Sequence, residues 1–454
     1  MRQKFDILVI GSGGGSKITR PAANLGYKVA IVDHGPLGGT CLNRGCIPSK
    51  MLIHTADVMS EIRDAQHYNI QTQAASVDVK ALVDRVSAEV DGDSASIAPL
   101  YEVHENITYF KDTAAFLSDT CVKVGEIEIE ARFIFIVAGG RPHIPHIPGL
   151  AKTPYWTSTE ALRATTKPKS MIVLGGGYIA TELGYYYQSI GTDVTFLVRS
   201  RMIKHEDHDV VESFERLFKK HHRVHLGEVP QRIEHDGQHF HVTLSSGELC
   251  SSEALLVATG ITPNTDVLRL DRTSIKCDSR GYIQVDNAFE TTVPSIFAFG
   301  DIIGRYAFRH SANIEGQHVF DSVVKNKQKA AFVYPPIPSA VFTNPQVASV
   351  GKTEQQCKQD ELDYYVGMNS YKDSAMGMAL RSPKDEFVKL IFEGKSDVLI
   401  GAHVIGKEAA TMIHMLILAV TKKLTRDDLQ SMVYIHPALP EVVRNAVRNA
   451  VRNA

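Results

Sequence analysis

A buried-strand pattern that runs directly into a glycine-rich turn occurs twice in this 454-residue sequence. Residues 5–10 form the first strand pattern and residues 171–174 form the second. The glycines of the two turns are Gly11, Gly13 and Gly15 in the first, and Gly175 and Gly177 in the second. Such a turn brings backbone N–H groups and a helix N-terminus against the pyrophosphate of a dinucleotide. Two copies predict two Rossmann-like units and two bound dinucleotides in one chain.

The residue that ends the second strand of such a unit meets the ribose of the dinucleotide, and the two units differ at this position. Asp33 ends the strand at 28–32 and is expected to accept hydrogen bonds from ribose hydroxyls. The second unit has Val198 there, followed by Arg199 and Arg201. A guanidinium can bind a 2′-phosphate through charge-assisted hydrogen bonds. This favours NADPH, with NADH as the alternative if the arginines only solvate the strand end.

Length and charge limit the remaining possibilities. A chain of 454 residues is too long for one hydrophobic core and predicts about three domains. The formal net charge is −2, with 49 basic and 51 acidic residues, so neither nucleic acid nor an anionic membrane surface is predicted as a partner. The longest apolar run, 412–420, is too short to cross a bilayer, and no secretory signal is visible. A cytoplasmic enzyme is expected.

Changes of pattern mark the expected domain boundaries. Gly139 follows a run of short strands and lies where the chain would cross between domains, and Gly260 closes the second unit in the same way. After Pro335 and Pro336, strand patterns alternate with one long helical pattern, which indicates an α+β domain. The sequence ends with Val-Arg-Asn-Ala repeated from residue 443, which predicts a docked terminal helix, with a frayed tail as the alternative.

Cys41 and Cys46 are the only two of the six cysteines that lie close together in the sequence. Pro48 stands at a helix-start position just after them, and a helix N-terminus lowers the pKa of a thiol and favours the thiolate. The pair could also be buried and inert, or half of a metal site. Because no second cysteine pair exists to complete a four-sulfur site, no metal is predicted.

Residues 38–50, Gly-Gly-Thr-Cys-x4-Cys-x-Pro-x-Lys, together with the order of the other motifs, resemble the class I pyridine nucleotide–disulfide oxidoreductases. This family includes dihydrolipoamide dehydrogenase, glutathione reductase, mercuric reductase and mycothione reductase. The resemblance covers essentially the whole chain. It implies a homodimer of α/β subunits, each with two Rossmann-like dinucleotide-binding domains and a C-terminal α+β dimerisation domain. It also implies bound FAD and a redox-active disulfide stacked against the flavin.

The resemblance divides the chain into four segments. Residues 1–150 and 271–334 are expected to form the two parts of the FAD-binding domain. Residues 151–270 are expected to bind NAD(P), and residues 335–454 are expected to form the dimerisation domain.

Roles follow for the residues that match the family motifs. Cys46 matches the thiol nearest the flavin, which forms the charge-transfer thiolate, and Cys41 matches the thiol that attacks the substrate disulfide. Lys50 matches the lysine beside the flavin, with Glu182 as its ion-pair partner. Tyr178 matches the aromatic side chain that covers the flavin until the nicotinamide displaces it.

Cofactor contacts are implied in the same way. Those expected for FAD are Gly11, Gly13, Gly15, Asp33, Gly39, Thr40, Lys50, Gly139, Asp301 and Ala312. Those expected for the nicotinamide dinucleotide are Gly175, Gly177, Tyr178, Ile179, Glu182, Arg199 and Gly260. Asp301 matches the acid that binds the ribityl chain, and residues 310–313 match the start of a helix that faces the flavin.

His436 and Glu441 match the family pattern His-Pro-x-x-x-Glu near the C-terminus. In this family the imidazole is the general base and the carboxylate orients it. The resemblance places His436 in the active site of the partner subunit, so catalysis would require the dimer.

The pattern departs from several family branches. Dihydrolipoamide dehydrogenases usually carry His-x-His-Pro-Thr, but Tyr434 and Ala438 stand at the first histidine and the threonine. Mercuric reductases usually need a C-terminal cysteine pair, and no cysteine follows Cys357. The glycine turn at 11–16 and the stretch 435–441 look more like the mycothione reductase branch. Arg44, between the active-site cysteines, is either a substrate ligand or a solvated charge.

The predicted function is therefore an FAD-dependent disulfide oxidoreductase that passes electrons between NAD(P)H and a small disulfide through Cys41 and Cys46. One alternative is the dihydrolipoamide dehydrogenase component of a 2-oxo acid dehydrogenase complex, which would add that complex as a partner. The other is a flavoprotein diaphorase.

Overall fold

The first part of the chain forms a seven-stranded sheet with the first glycine turn at one end of its central strand. The computed structural model describes residues 1–452. The elements are β1 (Arg2–Ile10), α1 (Ser12–Gly15), α2 (Thr19–Asn24), β2 (Val29–Val32), α3 (Gly39–Arg44), α4 (Cys46–Asp64), α5 (Val79–Ala95), α6 (Ile97–Glu102), β3 (Ile107–Phe110), β4 (Ala114–Ser118), β5 (Cys121–Val124), β6 (Ile127–Ile136) and β7 (Gly140–Pro142). The strand order is β3-β2-β1-β6-β5-β4. Strands β1, β2, β3 and β6 are parallel. Strands β1 and β2 are buried at the end that meets the first glycine turn.

The second glycine turn belongs to a smaller parallel sheet. The elements are α7 (Ser158–Ala161), β8 (Ser170–Leu174), α8 (Tyr178–Ser189), β9 (Asp193–Val198), α9 (His208–Phe218), β10 (Arg223–Leu226), β11 (Pro230–His235), β12 (Phe240–Leu244), β13 (Leu249–Ser252), β14 (Ala254–Val257) and β15 (Ile261–Pro263). The sheet order is β10-β9-β8-β14, and β11, β12 and β13 form an antiparallel sheet beside it. Strand β15 pairs with β7, which places the connections into and out of this unit side by side.

The chain then returns to the first sheet and ends in an antiparallel one. The elements are β16 (Ile296–Ala298), α10 (Arg309–Val319), β17 (Ser339–Val341), β18 (Val347–Gly351), α11 (Glu354–Gln359), β19 (Tyr364–Ser370), α12 (Ala375–Ala379), β20 (Phe387–Glu393), β21 (Leu399–Ile405), α13 (Ala409–Thr421), α14 (Arg426–Ser431) and α15 (Glu441–Asn449). Strand β16 pairs with β6, so the first sheet is completed only after the second unit. The last sheet has the order β17-β18-β21-β20-β19. Helices α13 and α15 share a hydrophobic core with this sheet.

Two prolines interrupt helices that the hydrophobic pattern alone does not separate. The sequence predicts one helical stretch over 77–100, but α5 ends at Ala95 and α6 begins at Ile97. Pro99 explains the break, because its ring clashes with the carbonyl four residues earlier, which is that of Ala95. In the same way, Pro21 explains why the segment after the first glycine turn is divided into α1 and α2.

The C-terminal repeat forms a docked helix up to Asn449. Val443 and Val447 are fully buried against the last sheet, whereas Arg448 is exposed. The four-residue spacing of the valines keeps them on one helical face. The last two residues of the repeat lie outside the described residues.

The fold class predicted from the sequence is confirmed: two Rossmann-like units precede an α+β domain. Among residues 1–452, none of the helices is long and apolar enough to cross a membrane.

Candidate active site

The two cysteines of the 38–50 segment lie at the junction of two helices. Cys41 is within α3, and Cys46 is the first residue of α4, with Gly45 as the hinge between the helices. Both are free thiols, and the Cys41 thiol donates a hydrogen bond to the Cys46 sulfur. This dithiol stands at the N-terminus of a 19-residue helix, where the helix dipole favours an anion.

The hydrogen bond makes the two thiols unequal in acidity, because it shifts their pKa values in opposite directions. It lowers the pKa of Cys46 to about 7, and the ammonium of Lys50 lowers it further while burial opposes both effects. The same hydrogen bond raises the pKa of Cys41, and burial adds to this increase. Near neutral pH the pair therefore holds one thiolate, on Cys46, and one thiol, on Cys41.

Lys50 and Glu182 form an ion pair between the two Rossmann-like units. The Lys50 Nζ lies 2.5 Å from Glu182 Oε2 and 4.6 Å from the centre of the Phe342 ring. The backbone N–H of Phe342 donates to the other Glu182 oxygen at 3.0 Å. Burial raises the pKa of Glu182, whereas Lys50 and the Phe342 amide act in the opposite direction. The pair joins α4 to α8 one helical turn from Cys46.

The first glycines of the two turns occupy equivalent positions. Gly11 has φ +103°, and a Cβ there would lie 2.3 Å from the carbonyl oxygen of Val137. Gly175 has φ +126°, and a Cβ there would lie 2.3 Å from the carbonyl oxygen of Ala258. Only glycine fits such an approach and such a φ value. Each turn therefore crosses over the end of a neighbouring strand at the point expected of a dinucleotide site.

Residues around the first turn fit a bound FAD. Asp33 accepts from the backbone N–H of Ser12 at 2.7 Å, which fixes the carboxylate beside the turn. Gly139 has φ +64°, and the space where its Cβ would stand is open. At the start of α10, Ser311 Oγ and Asn313 Oδ1 are buried and make no hydrogen bond within the described chain. These open and unsatisfied positions are compatible with a ligand between the turn and α10.

Asp301 lies at the beginning of a short turn that follows β16. Burial raises the pKa of its carboxyl to about 6, and Glu315 adds to this increase, whereas Arg309 opposes it. Ala312 is buried in the first turn of α10. The predicted FAD residues Asp301 and Ala312 are thus brought to the same end of the sheet as Asp33, although they come from the segment after the second unit.

The second turn leads into α8, which begins at Tyr178 with Gly177 as its N-cap. The Tyr178 ring stacks on Phe308 with centroids 6.1 Å apart, and its hydroxyl donates to the buried carboxylate of Glu206. Ile179 is 44% exposed, and a Cβ on Gly177 or Gly260 would stand in open space. This face of the unit has room for a second dinucleotide.

The two arginines after β9 are in different situations. Arg201 Nε donates to both oxygens of Glu215, at 2.9 and 3.0 Å, so its guanidinium is already held by a carboxylate. This contact makes Arg201 the less available of the two arginines for a phosphate, and the expected phosphate contact stays a prediction. Arg199 is exposed and forms no ion pair within residues 1–452. Arg199 is therefore the arginine that remains available at this strand end.

His436 lies just ahead of α15 and contacts Glu441, which is the first residue of that helix. The Nδ1 of His436 is 3.0 Å from each carboxylate oxygen of Glu441, and Arg444 lies 2.8 Å from one of them. The hydrogen bond from His436 lowers the pKa of Glu441, so the carboxylate is charged and holds the imidazole. The His436 side chain is 71% exposed, whereas Glu441 is buried. Within the single chain, the imidazole is oriented but uncovered.

Several residues at this site carried no signal in the sequence. Glu206, Phe308 and Phe342 contact Tyr178, Glu182 or Lys50 from distant parts of the chain. Arg44, for which a substrate contact and a solvated charge are the alternatives, donates to the carbonyl oxygen of Gly35 at 3.3 Å. None of these contacts stands at a fixed spacing from a motif, so only the folded chain reveals them.

Comparison with known proteins agrees with this geometry. Residues 5–316 match the pyridine nucleotide-disulphide oxidoreductase family, and residues 337–447 match the dimerisation domain of the same family. The chain is 34% identical to mycothione reductase of Mycobacterium tuberculosis, over 98% of this chain and 99% of that protein. It is 32% identical to dihydrolipoyl dehydrogenase of Chlamydia muridarum, over 97% and 96% of the two chains.

Among solved structures, it resembles the HOCl-induced flavoprotein disulfide reductase RclA from Escherichia coli in its Cu(II) complex. The TM-score is 0.87 at 25% identity, and the match covers 98% of this chain and 99% of that one.

Proposed function

Because this chain belongs to the family of flavin-dependent pyridine nucleotide–disulfide oxidoreductases, we propose that it reduces a small disulfide with electrons from NADPH through Cys41 and Cys46. The observation that carries the proposal is the unequal dithiol at the N-terminus of α4. A protonated thiol beside a thiolate is the arrangement that a two-step thiol–disulfide exchange needs.

The chemistry of the dithiol follows from this inequality. The Cys41 sulfur, once deprotonated, attacks one sulfur of the substrate disulfide and releases the first substrate thiol. The Cys46 thiolate then attacks Cys41 in the mixed disulfide and releases the second substrate thiol. The result is a Cys41–Cys46 disulfide, so two electrons have moved from the protein to the substrate.

FAD, when bound, supplies the two-electron relay between the nicotinamide and this disulfide. The residues proposed to hold FAD are the first glycine turn, Asp33, Asp301 and the start of α10. Lys50 carries its positive charge beside Cys46, and Glu182 holds Lys50 in place. The ammonium favours negative charge on Cys46 and on a cofactor in front of it.

A homodimer with a shared active site is part of the proposal. The match to the family's dimerisation domain supports it. So does the exposure of apolar side chains just before His436, because Val433 is 96% exposed and Ile435 is 78% exposed. A partner subunit would cover them and would receive His436 as the general base for its Cys41.

The substrate class is proposed from the relatives and from the departures in the motifs. Similarity to mycothione reductase supports a low-molecular-weight thiol disulfide as substrate. Similarity to dihydrolipoyl dehydrogenase keeps dihydrolipoamide oxidation as the second candidate, although Tyr434 and Ala438 depart from that branch. A cytoplasmic location belongs to the same proposal, because a paired redox thiol without a disulfide framework is typical of a reducing compartment.

A steady-state panel tests the proposed function. NADPH and NADH are each combined with oxidised glutathione, mycothione, cystine derivatives and lipoamide. We expect NADPH-dependent reduction of one small disulfide, and loss of that activity in Cys41→Ser. If Cys41→Ser keeps full turnover with the disulfide, or if only dyes and quinones are reduced, the protein is a diaphorase. Co-purification with acyltransferase subunits would instead support membership in a 2-oxo acid dehydrogenase complex.

A further inference from the structure

Three hydroxyl groups converge on one buried carboxylate beside the proposed nicotinamide site. Glu206 is only 2% exposed. Its Oε1 accepts from the Tyr178 hydroxyl and, at 3.2 Å, from Ser339 Oγ, and its Oε2 accepts from Ser349 Oγ at 2.7 Å. A buried carboxylate needs such donors to remain charged. Tyr178 supplies one of the three, and it is the only aromatic hydroxyl among them.

Glu206 is immobilised by a different domain from the one that carries it. It precedes α9 in the second Rossmann-like unit, whereas Ser339 and Ser349 lie on β17 and β18 of the C-terminal sheet. The next residue, Asp207, is fully buried and accepts from Lys389 Nζ at 2.8 Å. Lys389, on β20, is itself buried. Hydrogen bonds and an ion pair therefore hold Glu206 and Asp207 against the C-terminal sheet.

Tyr178 is held at two points. Its hydroxyl is bound by Glu206, and its ring stacks on Phe308 from the segment before α10. Burial and the Glu206 carboxylate both raise the pKa of Tyr178, so the hydroxyl keeps its proton and remains a donor. Displacement of the ring would break a hydrogen bond to a charged group as well as the contact with Phe308.

We propose that Glu206 is a positioning residue that holds Tyr178 in its closed place, so that the nicotinamide binds only when the Tyr178–Glu206 hydrogen bond breaks. The inference rests on the proposed function, in which Tyr178 covers the flavin. If a ligand binds only the open arrangement, its apparent dissociation constant is the intrinsic constant divided by the fraction of molecules that are open. The hydrogen bond thus weakens nicotinamide binding and shields the flavin when no nicotinamide is present.

The test uses the FAD-loaded protein and the variants Tyr178→Phe, Glu206→Gln and the double variant. Rapid mixing with NADPH measures the half-saturating concentration and the limiting rate of flavin reduction. We expect Tyr178→Phe to lower the half-saturating concentration by about ten- to a hundredfold, the range for one hydrogen bond to a charged group. The effect on the half-saturating concentration should exceed any effect on the limiting rate. Glu206→Gln should have a smaller effect because an amide oxygen still accepts, and the double variant should resemble Tyr178→Phe.

A matched control lies on the same helix. Tyr185 donates to Asp57 at 2.9 Å in a similar tyrosine–carboxylate pair, and Tyr185→Phe should leave the half-saturating concentration unchanged. The inference would be overturned if Tyr178→Phe left this concentration unchanged or raised it, if Tyr185→Phe lowered it equally, or if the effects of the two single variants were additive. A wild-type protein whose flavin is reduced by neither NADPH nor NADH would overturn the proposed function and this inference together.

Discussion

The difference between two neighbouring thiols decides the chemistry at the scale of single residues. Cys46 holds the thiolate because it accepts the Cys41 hydrogen bond and faces Lys50. We expect a long-wavelength thiolate-to-flavin band in the two-electron-reduced wild type, whose electrons lie on the dithiol. Oxidised Cys41→Ser, in which Cys46 has no disulfide partner, should show the same band without reduction, and Cys46→Ser should not show it. A band that survives in Cys46→Ser would reverse the two assignments.

The same band should depend on pH. The pKa of Cys46 is lowered to about 7, so the thiolate is present above this pH and is protonated below it. We expect the band of the reduced wild-type protein to fade as the pH falls through about 7. Cys41→Ala removes the thiol donor altogether, so the pH midpoint of its thiolate-to-flavin band should lie higher. An absorbance titration of both proteins measures the two midpoints.

We propose that one residue also decides the choice between NADPH and NADH. Arg199 is exposed and unpaired within the described chain, whereas Arg201 is held by Glu215. A guanidinium contact with the 2′-phosphate contributes about 1.5–3 kcal/mol, or on the order of ten- to a hundredfold in preference. We expect kcat/KM to favour NADPH, and Arg199→Glu to narrow or invert the ratio. Lys219→Glu, a charge reversal at an exposed position after α9, should leave it unchanged. A wild type that prefers NADH would contradict this assignment and favour a dihydrolipoamide dehydrogenase.

Local motifs made most of the individual residues visible in the sequence. Cys41, Cys46 and Lys50 lie within ten residues of each other. A thiol pair at a helix start is recognisable because the helix N-terminus lowers the pKa of a thiol and favours the reactive thiolate. Glu182 and Asp301 have no such local context, and only the family resemblance singled them out. Glu206 was invisible, because its importance comes from Ser339 and Ser349, which lie in another domain.

At the scale of elements, α4 and α8 are joined by the Lys50–Glu182 pair, which links the thiol site to the second Rossmann-like unit. Glu182→Gln removes the carboxylate and leaves the Lys50 charge facing Cys46 alone. We expect the pH midpoint of Cys46 alkylation in the reduced protein to fall in Glu182→Gln and to rise in Lys50→Met. Shifts in the same direction in both variants would mean that the pair does not act on Cys46 through its charge.

Element boundaries were predictable where the sequence contains a steric signal. Pro99 separates α5 from α6 and Pro21 separates α1 from α2. The single helical stretch predicted over 77–100 was wrong at Pro99, although this steric signal was present in the sequence. The boundaries of the antiparallel strands β11 to β13 were harder to predict. The alternation of apolar and polar residues is weak in half-exposed strands, and the register of these strands depends on tertiary packing.

At the scale of the whole molecule, the order of the segments along the chain does not show which of them meet at the site. The first sheet receives β16 only after the chain has built the second unit, and this return brings Asp301 and α10 to the first glycine turn. Motif order indicated this arrangement through the family resemblance. The contacts of Glu206 and Asp207 with the C-terminal sheet depend on how the domains pack, and spacing along a single sequence does not encode them.

The exposed His436 gives the molecule-scale prediction. Replacing it with Gln should slow disulfide reduction by roughly 10²–10⁴, the range for a lost general acid–base group, while flavin reduction by the nicotinamide stays nearly constant. His221→Gln removes another exposed imidazole, on the second Rossmann-like unit, and should leave both half-reactions unchanged. Equal slowing of both half-reactions in His436→Gln would make this residue structural.

If His436 serves the partner's Cys41, two inactive variants should complement each other. A heterodimer of one His436→Gln chain and one Cys41→Ser chain contains one site with both residues intact and one site with neither. Isolated through different affinity tags, such heterodimers should show roughly half of the wild-type disulfide reductase activity, because one of the two symmetry-related sites is complete. Homodimers of either variant, prepared in the same way, are the controls. If the active site instead lay within one chain, every site of the heterodimer would lack one residue, and no activity would return.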